Sequence, residues 1–330
     1  MTDRAAVLTG LGVNVPPHVL TNDDLAERMD TSDEWIRART GIRERRVADD
    51  DTATADLAVE AGLRALKSAG GTGVDAVIVA TTTPDRICPS TAPEVASRLD
   101  QTGVMAFDIG AVCSGFVYGL AAGAGLIAAG TVDRVLVIGA EVMFRFMAPA
   151  DRSTAVIFGD GAGAGVLRAG RSDELGAFGP FDLGADGGGS DLIRVDAGGS
   201  RLPASRDGIP ADAHFLHMDG REVYRHAVAR MVASSRTVLE RVGWTVDDVD
   251  RLVAHQANSR IIDAVGDRLG LPAAKRFLNV DRYGNTSAAS IPLALADAGL
   301  SPGDRVLLSA FGGGLTWGST VLTWPDITVG

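Results

Sequence analysis

Two cysteines stand in a chain of 330 residues, and one of them is oddly placed. Cys113 lies in FDIGAVCSGFVYGLAAG (107–123), flanked by Gly110 and Gly115 and set amid alanine and serine. A cysteine kept for packing sits among Val, Leu and Ile; one at a tight strand-to-helix turn is placed for exposure and reaction. At a helix N-terminus the unpaired backbone N–H groups and the dipole favour an anion. That predicts a thiol pKa below its free value of about 8.5, and the thiolate is the nucleophile. Gly110 and Gly115 leave room for a substrate to approach. The competing reading is a small buried thiol in a Gly/Ala packing seam.

Two other side chains suit such a sulfur. His255, in VAHQANSR, follows the last apolar residues of a strand, where open α/β sheets form ligand crevices. His18, His214, His217 and His226 lack that setting. Asn285, in DRYGNTSAAS, is either a turn or cap residue or an amide donor into the same cleft. SAFGGGLTWGS (309–319) carries three glycines after a strand, and successive N–H groups in such a turn make an oxyanion site. It lacks a phosphate-loop lysine, and GDGAGAG (159–165) does not keep GxGxxG in register, so nucleotide binding is rejected. No metal-ligand spacing is present, and no metal is expected.

These groups need strands and helices to hold them. AVIVATTT (76–83), RVLVIGAE (134–141), RLVAHQ (251–256) and RVLLSAFGG (305–313) read as strands. Unbroken apolar runs of this kind fit a sheet covered on both faces. Helical patterns alternate with them. One, over 51–70, sets Leu57, Ala61, Leu63, Ala65 and Leu66 near one face; another, over 221–243, does so with Val223, Ala227, Val228, Met231, Val232 and Val238. The alternation predicts an α/β fold with mainly parallel strands.

A weak internal repeat accompanies it. Asp75, Cys113 and Asp133 keep step with Asp250, Asn285 and Asp304, and DRVLVIGAE parallels DRVLLSAFG. Two similar halves are expected, residues 1–171 carrying the cysteine and 172–330 carrying His255 and Asn285. Cys113 and Asn285 would then occupy equivalent turns that share one cleft. The Gly-, Asp-, Ser- and Pro-rich stretch 182–212 reads as an irregular excursion.

Composition narrows the class. The chain is 46% apolar, ample for buried sheets. Two cysteines make no disulfide framework and point to a reducing compartment. MTDRAAVLTG has no signal-peptide core, and VYGLAAGAGLIAAG (118–131) is too short and glycine-rich to span a bilayer. A soluble cytoplasmic protein is expected, with no membrane contact. A net charge of −11 argues against nucleic acid and, more weakly, against an acidic protein partner.

AVCSGF, AHQAN, YGNTSAAS and FGGGLTWGS, in this order, resemble β-ketoacyl-acyl carrier protein synthase III. DEWIRARTGIRER (33–45) and DRSTAVIFGDGAGA (151–164) match as well, so the resemblance runs from about residue 5 to 325. It implies the duplicated thiolase fold, a five-layer αβαβα sandwich, and a homodimer. It implies no cofactor, with CoA thioesters as substrates. Cys113 would take an acyl group from acyl-CoA, with the N–H groups of Cys113 and Gly313 as oxyanion donors. Malonyl-acyl carrier protein would then lose CO₂, its enolate held by His255 and Asn285, and condense with the acyl group to a 3-ketoacyl thioester. Trp35 and Arg152 would sandwich the CoA adenine, with Arg39 near its phosphates. Cys88, Met143, Phe158 and Leu216 would line the acyl pocket. Cys88 stands where many relatives carry a bulkier residue that reaches into the partner's pocket, and its small side chain implies room for a primer longer or more branched than acetyl, unless Ile87 or Met143 fills the space. Arg221, Arg225, Arg260 and Arg268 would dock the carrier, diluted by Asp263 and Asp267. Two other functions compete: transfer of the acyl group to a hydroxyl or amine, and a non-catalytic acyl-binding partner subunit. A related condensing family, hydroxymethylglutaryl-CoA synthase, places an acid at the end of the strand before the cysteine; Thr81, Thr82 and Thr83 stand there instead.

Overall fold

The computed structural model describes residues 4–330; Met1–Asp3, the head of the stretch MTDRAAVLTG, lie outside them. A five-stranded sheet is built from β1 (Ala5–Asn14), β2 (Ala76–Ala80), β3 (Met105–Ile109), β4 (Arg134–Glu141) and β5 (Gly161–Gly170), in the order β1-β5-β4-β2-β3. A four-stranded sheet is built from β6 (Phe178–Ala185), β7 (Arg251–Ala254), β8 (Arg305–Gly312) and β9 (Thr316–Thr323), in the order β6-β9-β8-β7. The first two strand pairs of each sheet are antiparallel and the next is parallel: β1-β5-β4-β2 has the pattern of β6-β9-β8-β7. Where β3 flanks β2 in parallel, a single parallel bridge from Leu252 to Arg276 flanks β7. The two sheets are therefore copies of one topology.

The longer helices are α1 (Asp33–Thr40), α2 (Thr54–Ser68), α3 (Thr91–Arg98), α4 (Gly115–Ala128), α5 (Gly220–Val242), α6 (Ser259–Leu269) and α7 (Ser290–Asp297). Side chains alternate across a strand, so one strand feeds two cores. Val135 and Val137 of β4 join the central core, with Phe116 and Leu120 of α4 and Ile291 and Leu295 of α7. Leu136 and Ile138, next to them in sequence, join an outer core with α2 and α3. In β8, Val306 and Leu308 face the central core while Leu307 faces a second outer core with α5 and α6. The layers run α2/α3, sheet, α4/α7, sheet, α5/α6. Central strands covered on both faces have no polar side, and this explains their continuous apolar runs.

Three expectations need correction. The strands are not mainly parallel: four pairs in the two sheets are antiparallel and three parallel. Leu63 is 45% exposed, because it falls off the face that buries Leu57, Ala61, Ala65 and Leu66. Residues 182–185 are not irregular: they belong to β6, where Asp182 lies opposite Ser319 of β9. The rest of 182–212 is made of short 3₁₀ turns and loop with one two-residue strand. Among the described residues, no helix is long and apolar enough to cross a membrane.

Candidate active site

Each sheet ends, at the head of its central helix, in the same kind of turn. Val112 has φ 47° and Ser287 has φ 48°, left-handed conformations that are rare in residues with a side chain. Each opens a 3₁₀ turn, 112–114 or 287–289, that runs into α4 at Gly115 or α7 at Ser290. The two turns pack against each other across the middle of the molecule. Their equivalence shifts one expectation. Counted from the positive-φ residue, Cys113 corresponds to Ala288, and Asn285 stands two residues before its turn.

Cys113, His255 and Asn285 all line one cavity of about 1050 Å³. Cys113 is buried at the head of the turn before α4. His255 follows the last residue of β7, with its N–H on the carbonyl of Ser309 of β8. Asn285 is tied by its backbone to Ile157 and Gly159. Its Oδ1 accepts the N–H of Ser287 at 2.9 Å, which leaves the amide NH₂ to be presented as donor. His255 Nδ1 lies 2.7 Å from Ser290 Oγ, and that oxygen accepts the N–H of Gln256 at 3.4 Å. When the Ser290 hydroxyl donates its proton to Nδ1, the neutral imidazole carries its own proton on Nε2. Burial pushes the His255 pKa down to about 3, so the ring is neutral at ordinary pH.

The cysteine departs from expectation. Burial pushes its thiol up to about 12 rather than down; a hydrogen bond from Ser287 pulls the other way, and the charge of Glu141 adds to the rise. Desolvation outweighs the helix terminus because the sulfur is sealed between both halves of the protein. Glu141 has no place among the residues singled out from the sequence. It ends β4, fully buried, and lies on the threonines 81–83 that argue against an acid here. It accepts from Thr82 N–H at 3.0 and 3.1 Å, Thr83 Oγ1 at 2.8 Å, Thr81 Oγ1 at 3.3 Å and Ser287 Oγ at 2.9 Å. Burial raises its pKa to about 7 against those donors. A glutamate closing the apolar run VLVIGA is the signal that could have found it.

The glycine turn lies beside the sulfur. A Cβ on Gly312 would stand 2.8 Å from the backbone nitrogen of Cys113, so only glycine fits there. Gly312 is the one on the cavity wall; Gly313, expected as oxyanion donor, is the next residue along, and a Cβ there would meet Ile193.

Met143, Phe158 and Leu216 line the cavity and pack together in one apolar cluster. Cys88 does not line it: the residue is exposed, and its neighbour Ile87, 87% exposed, takes the place on the rim. Trp35, Arg39 and Arg152 also line the cavity, but the adenine slot is shut. Arg39 and Arg152 both stack on Trp35, at 4.6 and 5.2 Å from the ring centroid. A base between Arg152 and the indole needs two contacts of about 3.5–4.0 Å each, so the guanidinium must swing away. Arg152 is also held by Asp30.

Six arginines line the cavity (Arg39, Arg86, Arg152, Arg194, Arg221, Arg260) against one acid, Asp85, which suits an anionic substrate in a protein of net charge −11. Of the four docking candidates, Arg221 and Arg260 reach the cavity; Arg225 and Arg268 do not. Arg225 is ion-paired with Glu222, and Arg268 is exposed on the last turn of α6. Asp263 and Asp267 do not dilute the patch as expected, because both pair with the largely buried Arg276. Among the described residues, no group of three His, Cys, Asp or Glu side chains is gathered to hold a metal ion.

The family model for 3-oxoacyl-[acyl-carrier-protein] synthase III matches residues 107–187, and that for its C-terminal part matches 239–324. The β-ketoacyl-[acyl-carrier-protein] synthase III 5 of Streptomyces coelicolor is 58% identical over 329 residues, covering 98% of each chain. The crystal structure of 3-oxoacyl-(acyl carrier protein) synthase III from Pseudomonas aeruginosa matches with a TM-score of 0.91 at 48% identity, covering 98% of this chain and 99% of that one. The priming β-ketosynthase of the R1128 polyketide biosynthetic pathway matches with a TM-score of 0.90 at 36% identity, covering 98% of each chain. A twice-built sheet, a cysteine at the central turn and this likeness over nearly its whole length place the chain in the β-ketoacyl-[acyl-carrier-protein] synthase III family, acyltransferases of the thiolase fold.

Proposed function

We propose that this chain starts acyl chains by decarboxylative condensation in two half-reactions at the one cavity. Cys113 attacks the thioester carbon of an acyl-CoA and becomes the acyl-enzyme. The N–H groups of Cys113 and Gly313 receive the oxyanion. CoA leaves and malonyl-acyl carrier protein enters past Arg221 and Arg260. Loss of CO₂ makes an enolate, and its oxygen takes hydrogen bonds from His255 Nε2–H and the Asn285 amide. The carbanion attacks the acyl-Cys113 carbonyl, giving a 3-ketoacyl thioester and free Cys113. What carries this reading is the convergence of Cys113, His255 and Asn285 on one cavity, with a neutral imidazole and a free amide NH₂. Two neutral donors favour an enolate over a base mechanism.

Trp35, with Arg152 swung clear of it, receives the CoA adenine, and Arg39 its phosphates; Met143, Phe158 and Leu216 take the acyl chain. The active form is a homodimer, which covers the exposed rim residue Ile87; the enzyme works in the cytoplasm without a cofactor. Residues 1–171 and 172–330 are its two halves.

Mass spectrometry after incubation with a panel of acyl-CoAs tests the first half-reaction. The acyl mass is expected on Cys113, and its absence for every acyl-CoA would leave only a binding role. Adding malonyl-acyl carrier protein tests the second. Release of CO₂ with a 3-ketoacyl product is expected; acyl transfer without CO₂ would mean a hydroxyl or amine acceptor.

A further inference from the structure

Asn285 serves an enolate only with its NH₂ end toward the cavity. Turned the other way, Oδ1 would set its lone pairs against those of the enolate oxygen. The bond that fixes its sense runs from Ser287 N–H to Oδ1, at 2.9 Å. The left-handed backbone of Ser287, φ 48°, goes with that short loop. In a residue with a side chain such a conformation is costly, and it lasts only where its surroundings over-determine it. What holds Ser287 belongs to the other half of the molecule: its hydroxyl donates to Glu141 Oε1 at 2.9 Å. Both residues are fully buried, and neither lines the cavity.

Glu141 is itself fixed by the first half. It accepts from the Thr81 and Thr83 hydroxyls and from Thr82 N–H. Thr81 Oγ1 accepts Thr83 N–H at 3.1 Å, and Thr83 Oγ1 accepts Val142 N–H at 2.9 Å, so both hydroxyl protons go to the carboxylate. The duplication adds a second observation. In the match of DRVLVIGAE to DRVLLSAFG, Glu141 falls on Gly312. Each ends its strand against the turn of the opposite half. Gly312 leaves no room for a Cβ beside Cys113, whereas Glu141 reaches across to Ser287. One strand end makes space for the thiol turn, and the other ties down the turn next to the amide.

We propose that Glu141 is a positioning residue for the condensation step: through the Ser287 hydroxyl it pins the second turn and so fixes the Asn285 carboxamide with its NH₂ toward the cavity. No proton moves along this chain, and neither Glu141 nor Ser287 meets substrate. The role rests on the decarboxylative reading, in which Asn285 supplies an enolate donor. Acylation of Cys113 does not draw on it.

The test separates the half-reactions and then looks at the amide. In Ser287→Ala, kcat for condensation with malonyl-acyl carrier protein should fall by about 10–100-fold, with KM little changed. Acylation of Cys113 by acyl-CoA, followed by mass, should keep its wild-type rate. Glu141→Ala should show the same split. Where that variant folds poorly, Ser287→Ala decides, because it leaves the carboxylate and its threonine donors in place. If the turn acts through the amide, Ser287→Ala combined with Asn285→Ala should be no slower than Asn285→Ala alone. An equal fall in acylation, or losses that add in the double variant, overturns the role. The crystal structure of Ser287→Ala gives a readout that does not depend on turnover. The carboxamide should have turned, with Oδ1 off the N–H of position 287; an unmoved carboxamide overturns the role whatever the rates. A wild type that takes the acyl group but releases no CO₂ from the malonyl donor fails the decarboxylative reading, and the crystal structure then decides the positioning by itself.

Discussion

The turn over 112–115 and the turn over 287–290 share a backbone and differ in chemistry. Both begin with a left-handed residue, wind through one 3₁₀ turn and enter a helix of the central layer. The first carries Cys113 where the second carries Ala288. The second half instead puts its polar groups around the turn: Asn285 before it, Ser287 at its head, Ser290 after it and His255 on the neighbouring strand end. Packing two copies of one turn together yields a cavity with a thiol from one side and an imidazole and a carboxamide from the other. Duplication supplies the geometry, and divergence at a few positions supplies the different side chains.

The largest way to break this division is at the sulfur. Cys113→Ala should abolish acylation and lower turnover by about 10⁴-fold or more, since no other group forms the covalent intermediate. An acyl adduct elsewhere in that variant would move the nucleophile. The second half should fail differently. His255→Ala or Asn285→Ala removes one enolate donor, and condensation should drop by about 10²–10³-fold. Single-turnover acylation of Cys113, followed by mass, should persist in both. Equal loss of the two half-reactions would show that the halves do not divide the labour.

Acid sharpens the contrast in another observable. The unfolded imidazole takes a proton below its ordinary pKa of 6.5, and folded His255 resists one down to about 3. Stability is therefore lost as pH falls through that window, by up to about 1.4 kcal/mol per unit. His255→Asn should remove this loss. Urea unfolding of wild type and variant at pH 7 and pH 5 reads it as a difference. Subtraction cancels Glu141 and Asp160, whose raised pKa values act with the opposite sign. A gap between the two proteins that does not change with pH would place the titration elsewhere.

Gly139→Ala probes the seam between the turns. Its Cβ would stand 2.3 Å from the carbonyl oxygen of Ala288, so strand and turn must part. A cost of about 1–3 kcal/mol is expected by chemical denaturation, with activity lost alongside. A neutral result would show that the turns tolerate separation. The smallest effect belongs to the surface. Arg260→Glu should weaken use of carrier-bound malonate a few-fold, most at low salt, and leave acylation by acyl-CoA alone. Salt-independent kinetics, the same in both proteins, would remove Arg260 from docking.

Much of this is legible in the order of the residues. The continuous runs 76–80, 134–141 and 305–312 announce strands buried on both faces, and the settings of Cys113, His255 and Asn285 announce strand-end chemistry. The match of DRVLVIGAE to DRVLLSAFG falls on β4 and β8, which do hold the same place in their sheets. The misses share a cause. For Leu63 and Cys88 the expectation comes from neighbours in sequence, while exposure depends on what packs from elsewhere. The adenine slot between Trp35 and Arg152 is expected open, and in the free protein the cation fills it. Asp263 and Asp267 look like stray charges on their own helix, yet Arg276, from beyond that helix, pairs with both.

The sequence alone determined the main strands and helices, the duplicated order and the three side chains, Cys113, His255 and Asn285, that meet at one cavity, because periodicity and residue type are local properties. The ionisation of those groups was decided only by the tertiary structure. Cys113 as a thiol, His255 as a neutral ring and Glu141 near its midpoint at neutral pH all follow from burial and from partners up to 146 positions apart. The free energy of a charge depends on the medium around it, and a chain creates that medium only by folding.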